Sequence, residues 1–209
     1  MSSDKCEHHE CKRWWKLRKF CVGLIIFNFI LLIVILLIWA ILQPRKPRFI
    51  LQDVTVFAFN VSAPNLLTSN MQVTIYSRNP NDKIGIYYDR LDVYATYQNQ
   101  QITYYTAIPS VYQGHKDVNV WSPFISGNNV PVAPYNGIAL SQDQSDGTIG
   151  LLIKIDGRAR FKVGTYVSKK YHLHVRCPAF INFGDRPASA IYVGNAVKYQ
   201  MFVRCSVSV

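Results

Sequence analysis

The chain has 209 residues and carries 23 Lys plus Arg against 12 Asp plus Glu, a formal net charge of +11. A basic surface selects anionic partners: polyanionic sugars, lipid headgroups, nucleic acid or acidic proteins. Nucleic acid drops out, because the 49% apolar content is inflated by one long segment that reads as a membrane anchor.

Residues 1–21 form a short, polar, charged tail, read as cytosolic, with no room for a core. Residues 22–42, VGLIIFNFILLIVILLIWAIL, are an apolar run whose only polar side chain is Asn28. At the helical rise the run spans roughly 31 Å, about the thickness of a bilayer's hydrocarbon core. Lipid offers the backbone no partners, so the run must be helical. A buried helix of a soluble core is the alternative, but such helices are shorter. A cleaved signal peptide would have a shorter apolar region and a small-x-small site, which residues 39–44 lack. Lys12, Arg13, Lys16, Arg18 and Lys19 precede the run, whereas Arg45, Lys46 and Arg48 follow it. The asymmetry places the N-terminus in the cytosol and the bulk of the chain outside. Trp14, Trp15, Phe20 and Trp39 suit the two interfacial belts. Cys21 touches the run and is a palmitoylation candidate, with an unmodified thiol as the alternative. Cys6, His8, His9 and Cys11 are metal-ligand types, but lack a standard zinc spacing.

Residues 43–52 read as a linker leading into the domain, with Pro44 and Pro47 ending the helix. After Leu42 come 17 basic and 9 acidic residues, so most of the charge excess lies in the domain at 53–209. Its periodicity is two: residues 53–59, 71–76, 91–97, 149–163, 171–177 and 197–207 alternate apolar with polar. Such alternation marks strands with one face buried. A tight turn is expected at Asn99-Gln100, leading into residues 101–106, with a further strand at Val118 and Val120. About seven strands with turn signals between them predict an all-β sandwich preceded by a single transmembrane helix. No long amphipathic helix, repeat or low-complexity tract is expected after the anchor.

Several motifs carry a likeness to a known family. They are RNPNDKIGIYYD at 78–89, YQGHK at 112–116, DGR at 156–158, KVGT at 162–165, YHLHVRC at 171–177, and the linker LQP at 42–44 with PRFILQD at 47–53. Together they resemble the plant harpin-induced-like proteins related to the non-race-specific disease-resistance protein, whose outer module is the late-embryogenesis-abundant group-2 domain. The resemblance runs from the anchor to Val209. It implies a fibronectin-III-like β-sandwich, a plasma-membrane location, in some cases plasmodesmata, and roles in pathogen defence and abiotic stress. It implies no catalytic residues and no cofactor, and partners among membrane or defence-signalling proteins.

The residues agree that catalysis is not expected. Hydrolase, zinc-protease, phosphate-loop and dinucleotide motifs are all missing, and no Glu follows Glu10. Strand parity is expected to put Asp89 and Asp92 on opposite faces. Asp143 and Asp146 lie in a polar stretch expected as a solvated loop, with weak calcium binding as the alternative. His172 and His174 could share a face, but their Lys and Arg neighbours repel a cation.

Three expectations concern modification and binding. Asn60 sits in the only permitted N-x-[ST] sequon and is expected to carry a glycan. Cys177 and Cys205 are the only cysteines of the domain. Both share the parity of the buried residues, so a disulfide between them is expected, with two buried free thiols as the alternative. Lys154, Arg158, Arg160 and Lys162 share one side of a strand, and the turn at 164–170 can bring His172, His174 and Arg176 beside them. With Lys169 and Lys170 they make a face for an anionic ligand, a wall polysaccharide such as pectin or lipid headgroups. Asp156 is expected to be its only acid, and the histidines add charge as pH falls. The alternative is a merely solvated sheet face.

Overall fold

The computed structural model describes residues 4–42, 45–62, 65–183, 190–193 and 196–209, apart from the side chains of 4–13, 16–17, 39–42, 190 and 193. The Cys6–Cys11 segment, Trp39, and Lys12, Arg13 and Lys16 of the charge asymmetry therefore lie outside the described side chains. The described residues fall into two compact units, the N-terminal helix and the β unit that follows it.

Helix α1 spans Asp4–Leu42. It begins well inside the stretch expected as a tail, because residues 4–22 contain neither proline nor glycine to stop it. Its segment Arg18–Ile38, 21 residues of mean hydropathy 3.3, is long and apolar enough to cross a membrane. Asn28 donates its amide to the Leu24 carbonyl at 2.9 Å, so the one polar side chain of the run is satisfied within its own helix.

The β unit runs β1 (Arg48–Ser62), β2 (Leu66–Arg78), β3 (Ile84–Tyr97), β4 (Gln100–Gln101), β5 (Thr106–Ile108), β6 (Val111–Gln113), β7 (Val118–Trp121), β8 (Phe124–Pro131), α2 (Pro134–Ser145), β9 (Thr148–Val163), β10 (Tyr166–Val167), β11 (Tyr171–Asn182), β12 (Ala190–Val193), β13 (Ala196–Arg204) and β14 (Ser206–Ser208). One sheet has the order β12-β13-β1-β2-β7, with β8 also on β2. The other has the order β14-β11-β9-β3-β4, with β5 and β6 also on β3 and β10 on β9. The neighbours are all antiparallel. The inward residues of both sheets fill one core, among them Leu51, Val54, Val73 and Ile75 from the first and Ile86, Val93, Ile153 and Val175 from the second. Burying each such side chain contributes about 1.5–3 kcal/mol. Where Phe49, Tyr88 and Trp121 meet, aromatic rings bridge the two sheets at centroid distances of 5.6–6.3 Å.

Every strand read from alternation is present, except that the one read over 197–207 is split at Cys205 into β13 and β14, and β1 starts at Arg48, inside the stretch expected as linker. Its first inward residues, Phe49 and Leu51, are fully buried. The expected tight turn falls one residue earlier, at Gln98-Asn99, whose φ angles of 43° and 66° fit a two-residue hairpin turn. Residues 134–145 are helical, so the stretch around Asp143, expected as a solvated loop with weak calcium binding as the alternative, is in large part helix. Pro134 stands in the first turn, where its missing N–H costs nothing, and Leu140 is buried. Asp143 thus lies on α2, where it accepts a 2.7 Å hydrogen bond from the Tyr97 hydroxyl.

The loop between β2 and β3 fastens the start of the domain. Asn79 donates its amide to the carbonyls of Ile84 and Gly114 and accepts from the Asn81 backbone. Asn81 then grips Arg45 at both ends. Its side-chain oxygen accepts from the Arg45 N–H, and its amide donates to the Arg45 carbonyl, both at 2.7 Å. The chain joins the β unit's hydrogen-bonding network three residues after α1 ends.

Chain direction changes sheets once more near the C-terminus. β13 pairs with β1 in the first sheet, whereas β14 pairs with β11 in the second. Cys205 stands between them, is bonded to Cys177 of β11, and donates its N–H to the Phe49 carbonyl.

Candidate ligand-binding face

The outer face of the second sheet collects the residues singled out for anionic ligands. In β9 the inward positions Ile153, Ile155 and Ala159 are buried, which turns Lys154, Arg158, Arg160 and Lys162 outward. β9 and β10 are joined by a two-residue turn at Gly164, whose φ of 56° favours glycine. β11 then returns antiparallel, with Lys169 and Lys170 exposed just before it and His172, His174 and Arg176 exposed along it.

Register sorts the face into three rungs across β3, β9 and β11. Arg90, Arg158 and His172 form one; Asp92, Asp156 and His174 form the next; Tyr94, Lys154 and Arg176 form the third. An acidic rung thus lies between two basic ones. Asp156 faces His174 Nδ1 at 2.7 Å through one oxygen and accepts from the Tyr94 hydroxyl at 2.6 Å through the other. Burial and this carboxylate both push the Tyr94 ionisation up. Asp92 pairs with Arg90 at 2.9 Å. The His172 and His174 rings lie parallel, 6.2 Å apart.

Two expectations are corrected here. Asp156 is not the only acid of the face, and Asp89 and Asp92 do not point to opposite sides. The β3–β9 register slips between Tyr88 and Arg90. This bulge turns Asp89 and Arg90 outward together, and the inward parity resumes at Leu91. Asp89, Asp92 and Asp156 therefore line one open groove of about 580 Å³ with Arg158, Lys170 and His172. Asp89 Oδ1 accepts from Arg160 Nε and Nη2, and its Oδ2 faces Lys170 Nζ at 3.6 Å. Arg160 is thereby committed to a structural pair, while Lys154, Arg158, Lys169 and Arg176 have no carboxylate partner among the described residues.

Sequence reasoning missed the contribution of β3. Its trace is legible in retrospect: Ile84, Ile86 and Tyr88 hold one parity, and Leu91, Val93 and Ala95 the other. Aromatic rings were missed as well. Arg160 lies over the Tyr87 ring at 5.4 Å and Lys162 over Tyr112 at 5.6 Å. Tyr94 packs edge-on to Tyr105.

The remaining singled-out residues lie elsewhere. Asn60 is exposed near the end of β1, and Cys21 is an exposed free thiol on α1. Cys177 and Cys205 are joined, with Cα atoms 4.3 Å apart. Among the described residues no cluster of His, Cys, Asp or Glu could hold a metal ion.

Comparison with known proteins matches residues 74–177 to the family described as Late embryogenesis abundant protein. NDR1/HIN1-like protein 1 of Arabidopsis thaliana is 60% identical over 98% of this chain and 99% of its own length. NDR1/HIN1-like protein 12 of the same plant is 62% identical over 91% of each chain. A solution structure of a putative late embryogenesis abundant protein aligns at 12% identity and a TM-score of 0.31, over 68% of this chain and 74% of that one. With identity of this order along nearly its whole length, the chain belongs to the NDR1/HIN1-like family and carries a late embryogenesis abundant domain.

Proposed function

We propose that the protein is a single-pass plasma-membrane protein of plant defence and stress responses that acts by binding, not catalysis. α1 is its anchor, with the N-terminus cytosolic and a fibronectin-III-like β domain outside the cell. That domain presents the β3–β9–β11 face to an anionic polymer of the cell wall. The observation that carries this reading is the face itself: uncommitted Lys154 and Arg176 share a rung with Tyr94, which packs on Tyr105, and uncommitted Arg158 lies two residues along β9 from Asp156. Rings on which sugars pack and cations that meet their carboxylates are the two contacts a polyuronic acid needs. The core between the sheets is filled, which favours surface recognition over a ligand held inside. Membrane or defence-signalling proteins are the further partners implied by the family.

The test is binding of the purified full chain to pectin across salt. Affinity should weaken with salt. K154S/R158S/R176S should abolish binding without unfolding the domain. Equal binding by that variant sinks the reading. Topology is tested separately at Asn60. Glycosidase treatment should shift the protein from native membranes on a gel, and the Asn60→Gln form should not shift. Protection of the β domain from protease on intact cells would reverse the assigned orientation.

A further inference from the structure

A second groove lies on the same β unit but shares no residue with the face described above. It encloses about 600 Å³ and is lined by Lys46, Arg48, Arg78 and Arg204, with Phe202 and Val207 among its apolar residues. No carboxylate lines it. None of the four cations forms an ion pair among the described residues, and all four are exposed. Like charges gathered without a counter-ion repel one another, so the groove is better suited to an anion than to water.

Phe202 adds an independent observation. Its φ is 48°, the only aromatic residue with left-handed backbone among the described residues, and its surface is 66% exposed. The β1–β13 register slips beside it, between Leu51 and Asp53. Left-handed backbone in a bulky residue is a strained state, held here by the adjoining register slip, and strain of this kind clusters at functional sites. Glycine would fill the position without strain, but it would not present a ring.

Chain length says which anion is within reach. Only Gln43, Pro44 and Arg45 separate Leu42 from Lys46, and four Cα steps reach at most about 14 Å. The headgroup layer of a bilayer is about 5–7 Å deep on each side. Asn81 holds Arg45 to the domain, so no slack is added beyond that point.

We infer that this groove seats the headgroup of an anionic phospholipid in the membrane that α1 crosses, with the four cations on the phosphate and Phe202 inserted at the acyl boundary. The inference rests on the reading of α1 as the anchor. Basic residues at a membrane surface act jointly with an inserted aromatic ring, and each cation changes affinity on the order of fivefold.

The experiment uses the full chain in nanodiscs of phosphatidylcholine, with or without phosphatidylglycerol, and reads amide hydrogen exchange. Residues 46–52 and 201–207 should exchange several-fold more slowly in the anionic discs, and high salt should remove the difference. R48S/R78S/R204S should lose it. Phe202→Gly relieves the strained backbone, so it should melt no lower than the parent and yet lose much of the slowing. Equal exchange in both discs, with α1 protected, overturns the groove proposal alone. Rapid exchange of α1 in both discs overturns the anchor reading and this inference with it. Equal slowing by inorganic phosphate in detergent would show a phosphate site with no preference for the bilayer, and also overturns it.

Discussion

Asn81 accepts from the Arg45 N–H and donates to the Arg45 carbonyl, and its amide also donates to Asn79 Oδ1, while Asn79 holds the loop beneath it. The RNPN motif was legible as a turn and as a family mark, but its grip on the linker was not, because the partners are 36 residues apart. Asn81→Ala removes both bonds to Arg45 and the third to Asn79 at a buried site. It should cost about 1–2 kcal/mol, read as a lower denaturant midpoint, and speed proteolysis near Arg45. At Tyr97 a similar long-range bond gives a pH dependence. Burial first, and then the hydrogen bond to Asp143, push its hydroxyl up to about 12 from 10.0. The neutral form is favoured in the fold. This stabilisation is therefore complete below pH 10 and is lost as pH rises toward 12. Titration of tyrosinate absorbance should show the late-ionising group, and Asp143→Asn should bring it earlier.

At the scale of elements, the bulge in β3 decides which charges the outer face of the second sheet carries. A one-residue slip reverses the side on which every later residue of a strand points. Here it places Asp89 beside Arg160 and leaves Asp92 beside Arg90. Gly157 of the DGR motif stands opposite. A Cβ there would collide with the Arg90 carbonyl and crowd Leu91. Gly157→Ala should therefore destabilise the domain by about 1–3 kcal/mol and disturb the acidic rung. Urea unfolding together with the His174 imidazole resonances would show both effects. The long strands were legible because their alternation runs unbroken for many residues. α2 was not, because its polar run from Ser141 to Ser145 carries turn-forming residues and its apolar core contacts are only Ala139 and Leu140. β4, β5 and β6 have two or three residues each, too short for any period to show.

Across the whole molecule, the disulfide joins the sheet that carries the face to the place where the chain leaves the other sheet. It closes a loop with a sequence separation of 28. In the chain-entropy model such a loop contributes about 3–4 kcal/mol. Replacing Cys177 and Cys205 together by Ala should lower the melting temperature by roughly 10 °C. Calorimetry of oxidised and reduced parent beside the variant would check this. Strand parity pointed both sulfurs inward. That Cys205 marks a change of sheet could not be read, because alternation continues through it from Val197 to Val207.

The meeting of Phe49 and Cys205 has a mechanical consequence. The beginning and the end of the domain are hydrogen-bonded neighbours, and Ile50 lies in register with Arg204. Tension arriving through Arg45 pulls along β1, which is flanked on both sides by paired strands. It must shear many hydrogen bonds at once instead of opening them one by one. A covalent path also runs from that corner, through Cys205 and Cys177, into β11. On the proposed reading, a load between a bilayer around α1 and a wall polymer on the β11 face would pass through paired strands and this covalent link, as between a turgid cell's membrane and its wall.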